Sequence, residues 1–137
     1  MRIIVLDTNI IVSAAIKPDG KPAQIVLDWA LRGLVRIVTC PLIIAEYRDV
    51  SGRTKFAGRG FPPKWLEQLI QRSLQLPEPQ QWSYALPDST DAPFLALSHA
   101  AGAWLVTGNL RHFPESARGG VTVISPAEYL AKLTGEK

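Results

Sequence analysis

Four short apolar runs constrain this chain more than anything else in it. Residues 2–6, 35–39, 103–107 and 121–124 read RIIVL, VRIVT, AWLVT and VTVI. Most lack the polar alternation of a half-wet strand, as expected when both faces of a sheet are covered. Helical patterns lie between them. In Pro22–Leu34, the residues Ala23, Val26, Leu27, Ala30, Leu31 and Leu34 follow the i, i+3, i+4, i+7 rule. Pro41–Val50 opens with proline in its first turn, a favoured place for it. Lys64–Leu76 follows the break at Phe61-Pro62-Pro63, Asp91–Ala101 ends at Gly102, which suits a C′ position, and Pro126–Leu133 is the last. Strands alternating with helices predict an α/β fold with a parallel, doubly wound sheet. Gly52–Gly60 reads as a loop and Leu76–Pro87, with its three prolines, as an irregular connection.

The 137 residues match the usual size of one domain, and no repeat or linker divides them. A single domain over residues 1–137 is the expectation. Apolar residues make up 47%, enough for a core, yet no run reaches the roughly 18 residues of a membrane span. Met1-Arg2 leads straight into the first strand, so no leader is expected and the cytoplasm is the expected compartment. Cys40 is the only cysteine, which rules out an internal disulfide and argues against a cysteine metal site. The net charge of +3 is unevenly spread: Arg48, Arg53, Lys55, Arg59, Lys64 and Arg72 face only Asp49 and Glu67 in that stretch. Such a cluster either meets phosphates or simply solvates a surface.

Ligands of doubly wound sheets bind outside the carboxyl ends of the strands. Asp7 ends the first apolar run at that edge. Glu46 shares a predicted helix face with Leu42, Ile43 and Val50 at i−4, i−3 and i+4. A carboxylate there needs a partner: Arg48 or another cation, a hydrogen-bond donor, or a metal. Its neighbour Tyr47 reads as core. Asp91 opens a helix, where the dipole favours an acid or where it shares a cap with Thr90. Asp88 is either a turn residue or a fourth acid. A cluster of such acids repels itself unless a cation neutralises it, and hard oxygen ligands select Mg²⁺ or Mn²⁺. His99 and His112 are too few and too separated for zinc, and both read as ordinary surface residues.

Three segments carry a resemblance: "VLDTNIIVSAAI", "VTCPLIIAEYRDV" and "DSTDAPFLALSHAAGAWLVTGNLRHFP". In this order and spacing they resemble the PIN domain, the nuclease fold of VapC-like toxins, over about residues 3–125. The branch they look most like is the PIN-family toxin component of toxin–antitoxin systems. The resemblance implies a three-layer α/β/α domain with a central, mainly parallel sheet. It also implies a Mg²⁺- or Mn²⁺-dependent ribonuclease whose family acids match Asp7, Glu46 and Asp91. Thr8 and Asn9 match the polar residues that follow the first acid, where they would hold Asp7 or a metal-bound water; they would also cap the helix that follows. One position departs from the family. Many relatives carry aspartate where this chain has Asn109, which can bind a hard cation but neutralises no charge. Asp88 would restore it.

On this reading Asp7, Glu46 and Asp91 hold the ion, joined by Asp88 and Asn109, and a bound water hydrolyses an RNA phosphodiester. Ser13 and Thr107 would support them as neighbouring donors. Arg48, Arg53, Lys55, Arg59, Arg111 and His112 would position the RNA backbone. Trp29 and Trp104 sit in core-like patterns, Trp65 and Trp82 could stack a base or mediate dimer contacts, and packing is the preferred reading for all four. An antitoxin partner and a homodimer are implied by the resemblance alone. Two other classes stay open: a PIN-like RNA- or protein-binding module weakened in catalysis at Asn109, and a phosphatase of another α/β family using Asp7 as nucleophile. The phosphatase would want a second aspartate where Asn9 stands.

Overall fold

A computed structural model describes residues 1–53 and 60–135. Each apolar run becomes a strand: β1 (Ile3–Leu6), β2 (Arg36–Thr39), then a short β3 (Leu74–Gln75), β4 (Trp104–Val106) and β5 (Val123–Ile124). The sheet order is β3-β2-β1-β4-β5, and every pair is parallel. Among the described residues six α-helical segments accompany the strands: α1 (Thr8–Ile16), α2 (Lys21–Ala23), α3 (Pro41–Ser51), α4 (Leu66–Arg72), α5 (Ala92–Ala101) and, after the last strand, α6 (Pro126–Gly135). Helix α5 packs on β1, β2 and β4, with α3 against it, while α2 packs on α1 and α6. This is the three-layer α/β/α arrangement.

β1 runs through the centre, and Ile4, Val5 and Leu6 are wholly buried. Each such side chain contributes about 1.5–3 kcal/mol when removed from water. The register pairs Ile4 with Trp104, Val5 with Leu105 and Leu6 with Val106. The next residues, Asp7 and Thr107, therefore emerge side by side where the strand order reverses. An open α/β sheet forms its binding crevice at such a switch point.

Two predicted helices end early. Lys64–Leu76 divides, because Ser73 turns extended (φ −74°, ψ 154°) and its hydroxyl bonds Thr39 Oγ1 at 2.8 Å. Leu74–Gln75 then adds an edge strand that a helical periodicity conceals. In Pro22–Leu34, α2 passes into a π-helical stretch, Gln24–Ala30. The wider winding turns Ile25, absent from the 3.6-residue pattern, fully inward with Ala30 five residues on. Leu34, predicted to face the core, is exposed beyond Gly33 (φ 77°). The expected C′ glycine is left-handed as required: Gly102 has φ 64°. The four tryptophans are half-buried and pack against the core. Among the described residues no helix is long and apolar enough to cross a membrane.

Candidate active site

The site grows from the β1–β4 switch point. Asp7 occupies the N-cap position of α1 and is 5% exposed. Its Oδ2 accepts hydrogen bonds from Thr107 Oγ1 at 2.8 Å and Asn9 Nδ2 at 3.1 Å. Asn9 Oδ1 accepts from Gly108 N at 3.1 Å, and Thr107 Oγ1 accepts from Asn109 N at 3.0 Å. These bonds lace the end of β1 to the end of β4. Asn9 and Thr107 thus hold the first acid, whereas neither Thr8 nor Asn9 caps α1, since Asp7 takes that place.

Burial pushes the Asp7 carboxyl above its ordinary value, outweighing the Thr107 hydroxyl and the Thr8 and Asn9 peptide N–H groups that favour the charge. Glu46, half-buried on α3, is raised by burial first and by Asp7 and Asp91 besides. Asp91 ends a 3₁₀ turn, Ser89–Asp91, and sits at the N-cap position of α5. It is raised by burial and then by Asp7 and Asp88. Glu46 feels both Asp7 and Asp91, and Asp91 feels Asp7, so the fold brings the three acids into one neighbourhood. Among the described residues no group of three or more His, Cys, Asp or Glu side chains stands, as placed, where it could hold a metal ion. The donor chemistry still suits a hard divalent ion, because the three acids offer only oxygen and the buried Thr8 hydroxyl lies beside Glu46 and favours its charge. Tyr47 is core as expected, wholly buried, its hydroxyl donating to the Leu6 carbonyl.

Not every predicted residue joins this group. Asp88 is exposed, and its Oδ1 accepts from the Thr90 amide (3.0 Å) and hydroxyl (2.7 Å), which pulls its pKa down. That is a turn role. The Asn109 side chain is exposed on the rim, and its contribution to the network is a peptide N–H. Ser13 is exposed on α1 with no side-chain bond to the acids, so it is not among Asp7's supports. Arg48 does not pair with Glu46; it grips Glu67 through two nitrogens at 3.0 and 2.6 Å. Its guanidinium is therefore already engaged. Arg53 reaches Asp49 at 3.5 Å and also favours the Glu46 charge. Arg111 is exposed and lines a cavity of about 380 Å³ with Thr107, Asn109 and Ser125. Lys55 and Arg59 lie outside the described residues.

His112 is the residue the sequence reading undervalued. It is not an ordinary surface histidine: its Nδ1 lies 2.9 Å from Asp91 Oδ2. When protonated, it favours the charged forms of Asp7 and Asp88 as well. A 3₁₀ turn, Leu110–His112, carries it back from the end of β4, and the fully buried Phe113 anchors that turn. The signal was its distance from Thr107: five residues suffice to leave a strand and fold back over its end. His99 is exposed, as expected.

A protein-family model described as PIN domain matches residues 3–111, a span holding Asp7, Glu46 and Asp91 and ending one residue before His112. No curated protein matches the chain by sequence. Solved structures do match by fold. PAE2754 from Pyrobaculum aerophilum gives a TM-score of 0.62 at 16% identity, over 97% of this chain and 90% of that one. VapBC2 from Rickettsia felis, bound to a DNA fragment from their promoter, gives 0.62 at 19%, over 90% and 98%. FitAcB from Neisseria gonorrhoeae gives 0.59 at 19%, also over 90% and 98%. At such identities the likeness speaks for the fold, and the family match speaks for the descent. With most of its length inside that match, and the acids of the switch point with it, the chain belongs to the PIN domain family.

Proposed function

We propose that the protein is a Mg²⁺- or Mn²⁺-dependent endoribonuclease and the toxin of a toxin–antitoxin pair. The observation that carries this is the grouping of Asp7, Glu46 and Asp91 near the switch point: Asp7 and Asp91 both raise the pKa of Glu46, and Asp7 raises that of Asp91. Those three residues would hold the ion, with Asp88 and Asn109 at the rim. When bound, such an ion polarises a phosphate oxygen and lowers the pKa of a coordinated water. The rest falls to the chain. Thr107 and Asn9 fix Asp7 Oδ2 in place, and His112 fixes Asp91 Oδ2. The buried Thr8 hydroxyl beside Glu46 favours that carboxylate's charge. Arg111 is exposed on the rim, where a phosphate of the RNA backbone can reach it.

The likeness to VapBC2 and FitAcB supports an antitoxin protein as partner. A homodimer and a cytoplasmic location complete the proposal. Family membership removes the ground for an aspartate-nucleophile phosphatase.

The test is cleavage of single-stranded RNA with Mn²⁺, with chelator, and with Asp7→Asn. Turnover only in the first supports the proposal. RNA binding without cleavage in wild type and variant alike would favour a binding module. Two observations keep that second reading alive: Asn109 brings no charge to the rim, and among the described residues no three acids stand, as placed, where they could hold a metal ion.

A further inference from the structure

A row of three neighbouring cavities leads from Glu46 to aromatic rings that the mechanism does not use, and together they line a groove. Beside Glu46 a cavity of about 440 Å³ opens between α3 and α5, lined by Leu42 and Pro93. Both also line the next cavity, about 240 Å³, which reaches Trp82 and Ala96. Those two in turn line a third, about 410 Å³, walled by Gln80, Gln81, Tyr84 and His99. Each of the three thus shares wall residues with the next.

The far end is built as a platform. The Trp82 indole N–H donates to the Ala117 carbonyl at 2.8 Å, which fixes the ring. Tyr84 stands 5.6 Å from it at 51°, and His99 stands 5.5 Å away, edge-on at 61°. Neither ring lies flat on Trp82. Tyr84 is 49% exposed. A Cβ at Gly119, which has φ +55°, would come within 2.7 Å of the indole and 3.1 Å of the Tyr84 ring. Only glycine lets both rings sit there.

We infer that this groove is a subsite for an unpaired nucleobase of the substrate strand, stacked at Tyr84, Trp82 and His99; this rests on the nuclease reading above. Stacking on aromatic rings is how proteins grip single strands without reading sequence. No lysine or arginine lines the two cavities nearest the rings. Bases therefore face inward and phosphates outward, into water. The amides of Gln80 and Gln81 supply donors and acceptors for a base edge. Asp91 and His99 mark the two ends, and at 1.5 Å per helical residue they lie about 12 Å apart along α5. That separation corresponds to about two to four nucleotides from the scissile bond, stretched or stacked at 3.4 Å each.

The experiment measures binding of a labelled single-stranded oligoribonucleotide by anisotropy, with Mn²⁺, in an Asp7→Asn background that blocks cleavage. Tyr84→Ala is expected to weaken binding on the order of tenfold, while Tyr84→Phe stays near the starting value. An abasic nucleotide two to four positions from the cleavage point should cause the same loss in the Tyr84 protein and little further loss in Tyr84→Ala. In cleavage-competent protein, Tyr84→Ala should raise KM and leave kcat nearly unchanged. Unchanged affinity in Tyr84→Ala overturns the subsite even if RNA is cleaved. Tyr84-dependent binding by a protein that never cleaves keeps the subsite and sinks the nuclease instead. A change of sedimenting mass with no change of affinity shows a contact between copies of the chain, and the subsite falls.

Discussion

Helix α3 carries two charged surfaces that obey opposite rules. On its outer flank every charge shown is matched: Arg48 grips Glu67 and Arg53 reaches Asp49, all four side chains more than half exposed. On its inner flank Glu46 turns toward Asp7 and Asp91, and three acids share one buried corner. Among the described residues the one basic side chain shown within hydrogen-bond distance of an acid in that corner is His112, with Nδ1 2.9 Å from Asp91 Oδ2. Exposed, matched pairs are screened by water and stabilise little. Buried, unmatched carboxylates cost stability unless something outside the fold neutralises them. The same eleven-residue helix thus serves solubility on one side and tolerates electrostatic strain on the other. Strain of this kind concentrates where a fold keeps a function.

The largest break in this comparison comes from removing one inner charge. Asp7→Asn should reduce RNA cleavage by on the order of 10²–10³-fold, as when an active site loses one group that stabilises the reacting charge. Metal-free, at neutral pH, the same variant should melt a few degrees higher, because it relieves the repulsion on Glu46 and Asp91. Activity and stability moving in opposite directions is the signature. A variant both inactive and clearly less stable would mean that Asp7 holds the fold rather than a cation.

Metal and pH should reproduce that relief from outside. Mn²⁺ at about 100 times its Kd stabilises a binding protein by roughly 2.7 kcal/mol. Wild type should show the gain in a thermal melt at neutral pH, and Asp7→Asn should show much less. The pH effect has a definite sign. Asp7, Glu46 and Asp91 all have raised pKa values in the folded state. The folded protein then binds protons more tightly than the unfolded chain. This contribution is fully present below the unfolded carboxyl values, about 4, and is lost as pH rises through the folded ones. Metal-free wild type should therefore lose stability as pH climbs from the ordinary carboxylate range toward neutrality. Asp7→Asn should flatten that slope. Asp88 and Glu67, whose pKa values are lowered, work in the reverse sense, but both are exposed and screened.

Much of the inner corner could be read from the chain. An apolar run ending in aspartate places that acid at a sheet edge whatever the family. The helical period put Glu46 toward the core, and there it is half-buried. The same period put Leu42 beside it, yet Leu42 is 52% exposed. A helical wheel gives the direction of a side chain, not how far the neighbouring elements extend to cover it. Asn9 and Thr107 were legible as polar residues next to strand ends. The Asp91–His112 pair was not, because it joins residues 21 apart through a 3₁₀ turn with no periodic signature. The short β3 was hidden for a similar reason: two residues are too few to show alternation.

Weakening a support should do less than removing an acid. Thr107→Val keeps the shape of the buried residue and deletes the hydroxyl that reaches Asp7 at 2.8 Å. Partners that orient a metal-holding side chain are worth about 10–100-fold in activity or metal affinity. Thr107→Val should fall in that range, with a higher Mn²⁺ requirement, and Thr107→Ser should recover most of it. Failure of serine to rescue would assign the loss to packing.

The outer flank should yield the smallest effect of all, and that makes it the control for everything above. Glu67→Gln removes one member of the Arg48 pair, whose side chains are 54% and 59% exposed. The remaining arginine keeps its water, so no buried charge is stranded. Melting temperature, Mn²⁺ stabilisation and cleavage rate should all stay at wild-type values, and the pH–stability slope near neutrality should be unchanged. If Glu67→Gln instead disturbed metal stabilisation, the two flanks of α3 would be electrically coupled. The inner corner would then owe its pKa pattern to the helix as a whole rather than to three acids meeting at the end of β1.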